Sequence, residues 1–434
     1  MSYLSIQIKD HWKSLLLSVV IIFVLKFIVF LFFGVTVEID SYNYAFNALN
    51  FEYPPLYPYL LRFAHLIQPQ FFVVVILQIF IFSTCGALFT NYFSIGCKQL
   101  IWLSVLLGLE PVSGFFCTDI MSEAIFISTL FIWVIVVHNF FSRDKFSYII
   151  AGTIGVLCGV LYLERFAGIL FLGIFFILSV FSSEHRKKII LTVLIGVIGF
   201  QLTLLPVRLK YNQVFGTYRI NGVTGVMWWN NASVLYPGSS AQKNPETDFN
   251  KFVSRSDAST FNEYNAVKGR QLNEYKLPYR AFLIEKKITQ ENAPAISDQA
   301  GKMALNIIKE NPIHYFTQFV WPNFTQYFFE DDFIWTKEYK QRFIVKYSPV
   351  EKLNWEITYS PFIYSAGWFL LIGCSLLYWK GKRSLLGKII LVSSWSYMFM
   401  LPFICIMAIR LNLVVMPLLV FLLILQLRRN STKL

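Results

Sequence analysis

Long apolar runs alternate with short polar breaks along most of the chain. The first covers residues 14–33, and others follow at 71–92, 100–116, 124–141, 146–163, 166–181 and 189–206. Three more close the sequence at 361–378, 385–407 and 411–427. A helix of about 20 residues, at about 1.5 Å rise each, spans the roughly 30 Å hydrocarbon layer of a bilayer. The pattern therefore predicts an all-α polytopic membrane protein with about ten spanning helices. Between the seventh and eighth runs, long apolar stretches are few and charges of both signs mix. The expected organisation is an N-terminal transmembrane module (1–206, about seven spans), an extracytoplasmic part (207–360) and a C-terminal transmembrane module (361–434, about three spans).

Shorter patterns predict helices between the spans. In the first outer loop, residues 34–70, one helix is expected at 41–50. Another starts after Pro54-Pro55 and runs through Leu60, Leu61 and Ala64. Proline suits a helix start, where its missing N–H would go unpaired in any case. In the extracytoplasmic part, Ala300, Met303, Ala304, Ile307 and Ile308 share one face at helical spacing over 298–309. Asn311-Pro312 predicts a further helix start, with the asparagine as N-cap.

Composition supports the membrane reading. Of 434 residues, 56% are hydrophobic and only 15% charged, with a mean hydropathy of +0.54. A soluble domain is excluded on these figures. The formal net charge of +13 could suggest nucleic acid. Its excess, however, sits in short breaks between runs, at Lys98, Arg143, Lys145, Arg186-Lys187-Lys188, Lys380, Lys382, Arg383 and the tail. This is the positive-inside pattern; it places both termini in the cytoplasm and removes the case for a nucleic-acid partner. The first run lacks a small-residue cleavage site and reads as a retained span. The six cysteines show neither a disulfide framework nor metal-ligand spacing. Lysine-, isoleucine- and asparagine-rich usage with compact loops points to a bacterial inner membrane.

Chemistry concentrates where the first run ends. Glu38 and Asp40 lie just past it, followed by an aromatic stretch with Tyr44, Tyr53 and Tyr57 that could wall a site. A carboxylate at a lipid–water boundary is partly desolvated, which raises its pKa and suits a general base. The alternative is a solvated carboxylate that merely ends a span. Asp119 and Glu123, between the third and fourth runs, suit either a substrate pocket or helix capping by Ser122 or Asp119, with Glu123 favouring the dipole. Arg165 and Arg410 stand at outer ends of spans, where arginine is disfavoured. Each could grip phosphate bidentately, or else snorkel to headgroups or, for Arg165, pair with Glu164. Arg62 and His65 lie one turn apart; a lone histidine is more often structural. Glu110, beside Pro111 within the third run, has no evident partner.

Taken together, Asp40-Ser41-Tyr42-Asn43-Tyr44-Ala45 and Tyr53-Pro54-Pro55-Leu56-Tyr57-Pro58 after a first span resemble the GT-C superfamily of integral membrane glycosyltransferases. The likeness is to its protein-mannosyltransferase and aminoarabinose-transferase branch. Ser122-Glu123-Ala124, Leu163-Glu164-Arg165-Phe166-Ala167-Gly168, Lys309-Glu310-Asn311-Pro312 and the segment from Ala408 through Arg410 to Pro417 resemble further signatures of that branch, in order. The pattern departs where the usual acidic pair is split as Glu38-Ile39-Asp40, where no tyrosine follows Arg410, and over 213–300.

The resemblance implies a GT-C-like bundle and an inverting transfer at the extracytoplasmic face. The donor would be a polyprenyl-phosphate sugar, and the acceptor a glycan, lipid or protein. Asp40, with Glu38 beside it, would deprotonate the acceptor, while Arg165 and Arg410 would hold the donor phosphate. Tyr44, Tyr53, Tyr57, Arg62, His65, Asp119 and Glu123 would line the pocket. No cofactor is required, although Glu38 and Asp40 could accept a divalent metal. The competing expectations are an O-antigen ligase or polymerase, with its key residues in the large outer loop; a lipid or glycolipid transporter, with mid-membrane charges and broken helices; and an envelope scaffold.

Overall fold

The structure is a computed structural model that describes residues 2–35, 44, 54–67, 71–94, 96–143, 146–180, 189–220, 224–225, 228, 232, 293–321, 361–380, 384–404 and 413–431. Among these residues the regular elements are all helical. In order they are α1 (Ser2–Phe33), α2 (Leu56–Ile67), α3 (Phe71–Phe93), α4 (Cys97–Leu109), α5 (Pro111–Thr118), α6 (Glu123–Phe141), α7 (Tyr148–Glu164), α8 (Ile169–Val180) and α9 (Ile189–Phe215). Then come α10 (Ala293–Glu310), α11 (Pro312–Tyr315), α12 (Pro361–Lys380), α13 (Leu385–Ile404) and α14 (Met416–Ser431). Four helices among the described residues are long and apolar enough to cross a membrane, or five if the bent pair α4–α5 is one span. Shorter apolar helices cover Tyr148–Glu164, Phe166–Val180, Trp368–Trp379, Leu385–Met400 and Met416–Gln426.

The bundle is tied together where small or polar side chains let helices approach. α1 packs against α3, α4 and α5, and Ser18 on α1 bonds to both Thr90 on α3 and Ser104 on α4. α7 and α9 approach closely at glycines. A Cβ at Gly155 would strike the Gly196 carbonyl, and one at Gly199 would strike that of Gly152. Small residues at such spacing gain dispersion and backbone contact where lipid provides no hydrophobic drive between helices. α3 packs on α6, and α6 on α7; Trp133 Nε1 donates to Cys158 Sγ at 3.2 Å across the α6–α7 seam.

Two local features differ from the sequence expectation. The third run, expected as one span over 100–116, is two helices bent by 59° at Glu110-Pro111. Pro111 supplies no N–H, and the residue before a proline is pushed out of the helical region; Glu110 sits at φ −59°, ψ 117°. The seventh run, expected to stop at Pro206, continues as helix to Phe215 with the proline inside. It stops at Gly216, which has a φ of 67° and donates to the Asn212 carbonyl at 2.8 Å.

α1 ends the same way. Gly34 takes a φ of 71° and its N–H reaches the Phe30 carbonyl at 2.7 Å. A left-handed C′ glycine thus turns the chain out of the first span. The helix expected at 41–50 lies outside the described residues, save Tyr44. The one expected after Pro54-Pro55 is α2, with Tyr57, Pro58, Leu61 and Ala64 buried, lying on α3 and α7. Lys210 near the end of α9 donates to Tyr59 Oη on α2 at 3.0 Å.

Between α9 and α12, α10 covers the expected 298–309 helix, with Ala300 and Ala304 fully buried. Asn311 stands at the N-cap position of α11, but its side chain makes no capping bond. A π-helical turn, Phe316–Val320, continues from α11 and packs against α13.

Candidate functional site

A polar cluster lies at the end of the bundle where α7 stops and α6 begins. At its centre, Arg165 Nη1 meets Glu123 Oε1 at 2.6 Å. The Glu123 side chain is 0% exposed and that of Arg165 14%. Local sequence explains why the arginine is held there. α7 ends at Glu164, Arg165 is extended, and Phe166–Gly168 form one 3₁₀ turn closed by the Gly168 N–H on the Arg165 carbonyl at 2.8 Å. Gly168 is required because its α-carbon lies against the Leu161 carbonyl, where a Cβ would collide. Glu123 enters from the other side as the first residue of α6. A charge removed from water is tolerated when it is paired and hydrogen-bonded.

Neither capping expectation holds. Ser122 sits at the N-cap of α6 without a side-chain bond to the helix, and Asp119 is the C-cap residue of α5. Arg165 pairs with Glu123 rather than with its neighbour Glu164, which instead accepts from Thr129 Oγ1 at 2.7 Å.

Two tyrosines lie near the pair. The phenols of Tyr44 and Tyr397 lie within electrostatic reach of the Arg165 guanidinium. Tyr44 is buried and meets Tyr57 edge to face, with ring centroids 5.2 Å apart. Tyr57 Oη donates to Gln78 Oε1 at 2.5 Å, and Gln78 Nε2 donates to the Cys117 and Asp119 carbonyls at 3.1 and 2.8 Å. Gln78, fully buried on α3, therefore joins α2 to the far end of α5. Its carbonyl partners also fix the chain just before Glu123.

The cluster unites residues from three separated segments: Tyr44 and Tyr57 after α1, Asp119 and Glu123 around the start of α6, and Arg165 after α7. Arg62 and His65 are not part of it; both are exposed on α2, outside the buried stripe of Tyr57, Leu61 and Ala64. Glu38, Asp40, Tyr53 and Arg410 lie outside the described residues. Among the described residues, no three His, Cys, Asp or Glu side chains gather as a metal ion would need.

Sequence reasoning overlooked Gln78, Tyr397 and Lys26. Gln78 and Lys26 had a usable signal, since a polar side chain inside an apolar run must find a partner. Tyr397 had none, because a tyrosine in such a run is unremarkable.

Lys26, fully buried in α1, belongs to a second polar centre. Its Nζ donates to the Glu110 carbonyl and to Ser113 Oγ, each at 2.7 Å, and lies 5.4 Å from the Phe82 ring centroid. The Glu110 carboxylate caps α5, accepting from the Val112 and Ser113 N–H groups at 2.9 and 2.7 Å. The Glu110 carboxylate thus satisfies the N-terminus that the break creates, and Lys26 adds a second donor to the Glu110 carbonyl, which also accepts from the Gly114 N–H at 3.2 Å.

No family model, no curated protein and no solved structure matches the chain.

Proposed function

We propose that the chain is a GT-C-type membrane glycosyltransferase that moves a sugar from a polyprenyl-phosphate donor to an acceptor at the extracytoplasmic face. The observation that supports this reading is the buried cluster of Glu123, Arg165, Tyr44 and Tyr57. Residues nominated separately along the sequence share one site, and it contains an arginine already oriented by a carboxylate. Asp40 is four residues from Tyr44 along the chain, a tether of at most about 14 Å when fully extended.

In this mechanism Asp40 accepts the proton of an acceptor O–H or N–H. The acceptor atom bonds to the anomeric carbon with inversion as the bond from that carbon to the phosphate oxygen breaks. The electron pair leaves on polyprenyl phosphate. Arg165 and Arg410 stabilise the developing charge there, and Glu123 keeps the Arg165 fork in place. The glycan, lipid or protein acceptor is bound by the outer loop and the extracytoplasmic part, and a bacterial inner membrane is the setting. No metal is assigned a step.

The test uses purified full-length protein, a polyprenyl-phosphate sugar and candidate acceptors. Asp40→Asn is expected to abolish sugar transfer, with folding intact by thermal unfolding in detergent. Transfer at the unaltered rate in that variant removes Asp40 from the mechanism.

A transporter of lipid or glycolipid is the second reading, favoured by the α4–α5 break and the buried charge of Lys26. In the same assay it gives movement of the lipid across vesicles with the sugar–phosphate bond uncleaved.

A further inference from the structure

A groove separates α4 from α14 at the end of the bundle remote from the Arg165 cluster. Lys98, Gln99, Trp102, Leu103, Leu106, Ile424 and Leu425 line a cavity of about 430 Å³ there. A second, separate cleft of only about 10 Å³ lies deeper along α4, against Leu107, Glu110, Pro417 and Phe421. Leu103, Leu106 and Ile424 line both spaces. Lys98 to Glu110 is twelve residues of chain, or about 18 Å along the helix direction at about 1.5 Å each. One bilayer leaflet contributes about 15 Å of hydrocarbon.

We propose that this groove is a binding site for an anionic phospholipid of the leaflet in which α4 begins. Three features select that occupant. The mouth carries Lys98, exposed and cationic, which suits a phosphodiester headgroup. Trp102, 67% exposed one turn deeper, has the amphipathic ring favoured at headgroup depth. Below it Leu103, Leu106, Ile424 and Leu425 give the 430 Å³ cavity an apolar wall suited to an acyl chain. A soluble phosphate would use Lys98 alone and leave the apolar wall uncovered. In the topology set by the basic loops, this leaflet is cytoplasmic, opposite the proposed transfer site. The assignment does not depend on the glycosyltransferase reading.

The test is fluorescence quenching of full-length protein in phosphatidylcholine micelles, titrated with phosphatidylglycerol carrying brominated acyl chains. The Trp102 signal is the difference between the unaltered chain and Trp102→Phe. Saturable quenching of that signal is expected, with half-saturation raised about tenfold in Lys98→Gln, the loss typical of one charged hydrogen bond. Leu106→Phe, which narrows the groove below Trp102, is expected to weaken quenching similarly while Lys98 remains. Brominated phosphatidylcholine that quenches at the same half-saturation would overturn the proposal, as would an unchanged midpoint in Lys98→Gln. Displacement by glycerol phosphate at concentrations matching the lipid would also overturn it, since the acyl chain would then contribute nothing.

Discussion

Two buried charged centres occupy this bundle, and they are satisfied in different ways. Glu123–Arg165 is a side-chain ion pair between the start of one helix and the loop after another. Lys26 donates hydrogen bonds to a backbone carbonyl and a serine hydroxyl at a break within a helix pair. The first centre joins two side chains, and a carboxylate engages at most two of the five N–H groups of an arginine fork in the usual bidentate geometry. The second uses its lysine to complete the backbone of α4 and α5. A buried charge therefore does not by itself mark chemistry. What distinguishes the sites is whether the charge is held by backbone and hydroxyl groups at a helix break or by an opposite charge from another segment at the end of the bundle.

That distinction can be broken by substitution. The largest effect is expected at the ion pair. Arg165→Ala takes the arginine from the buried Glu123 carboxylate and should cost up to about 3–5 kcal/mol of stability, with loss of sugar transfer. Combining Arg165→Met with Glu123→Gln removes both charges; stability should largely return while transfer stays absent. Recovery of both properties would show the pair to be purely structural. Thermal unfolding in detergent and the transfer assay separate these outcomes.

Lys26→Met comes next. It leaves the Glu110 carbonyl without its lysine donor, and a loss of about 1–3 kcal/mol is expected. Transfer per folded molecule should persist. Its disappearance without loss of stability would move Lys26 from fold to function and favour the transporter reading. The smallest effect belongs to an exposed contrast. Arg219 pairs with Asp298 on α10, with side chains 29% and 50% exposed. Arg219→Ala should cost less than about 1 kcal/mol, and less still in high salt.

The two centres were also unequally legible. Arg165 and Glu123 could be singled out from the sequence because each stood at the end of an apolar run, where its charge needed a reason. Their pairing could not be read. Arg165 has Glu164 beside it in the chain, and nothing local says that the distant Glu123 is the partner. Lys26 disappeared into a long apolar run whose average hydropathy hid it. Glu110-Pro111 carried a local signal for a break, since proline removes a donor and constrains its predecessor. The run of apolar residues on both sides masked it as one span. Pro206 gave the opposite error, because α9 absorbs a proline and closes only where Gly216 can take a positive φ.

By itself the sequence determined which segments are apolar helices, since a run of such residues can satisfy its backbone in lipid only by hydrogen-bonding within itself. It also determined several helix starts, as at Pro54-Pro55, from constraints one or two residues wide. Only the tertiary structure decided which charges meet. The partner of Arg165, the two carbonyls held by Gln78 and the acceptors of Lys26 each come from a different helix. Burial makes such pairing obligatory without specifying the partner, and the partner follows from how α1, α3, α5, α6 and α7 pack.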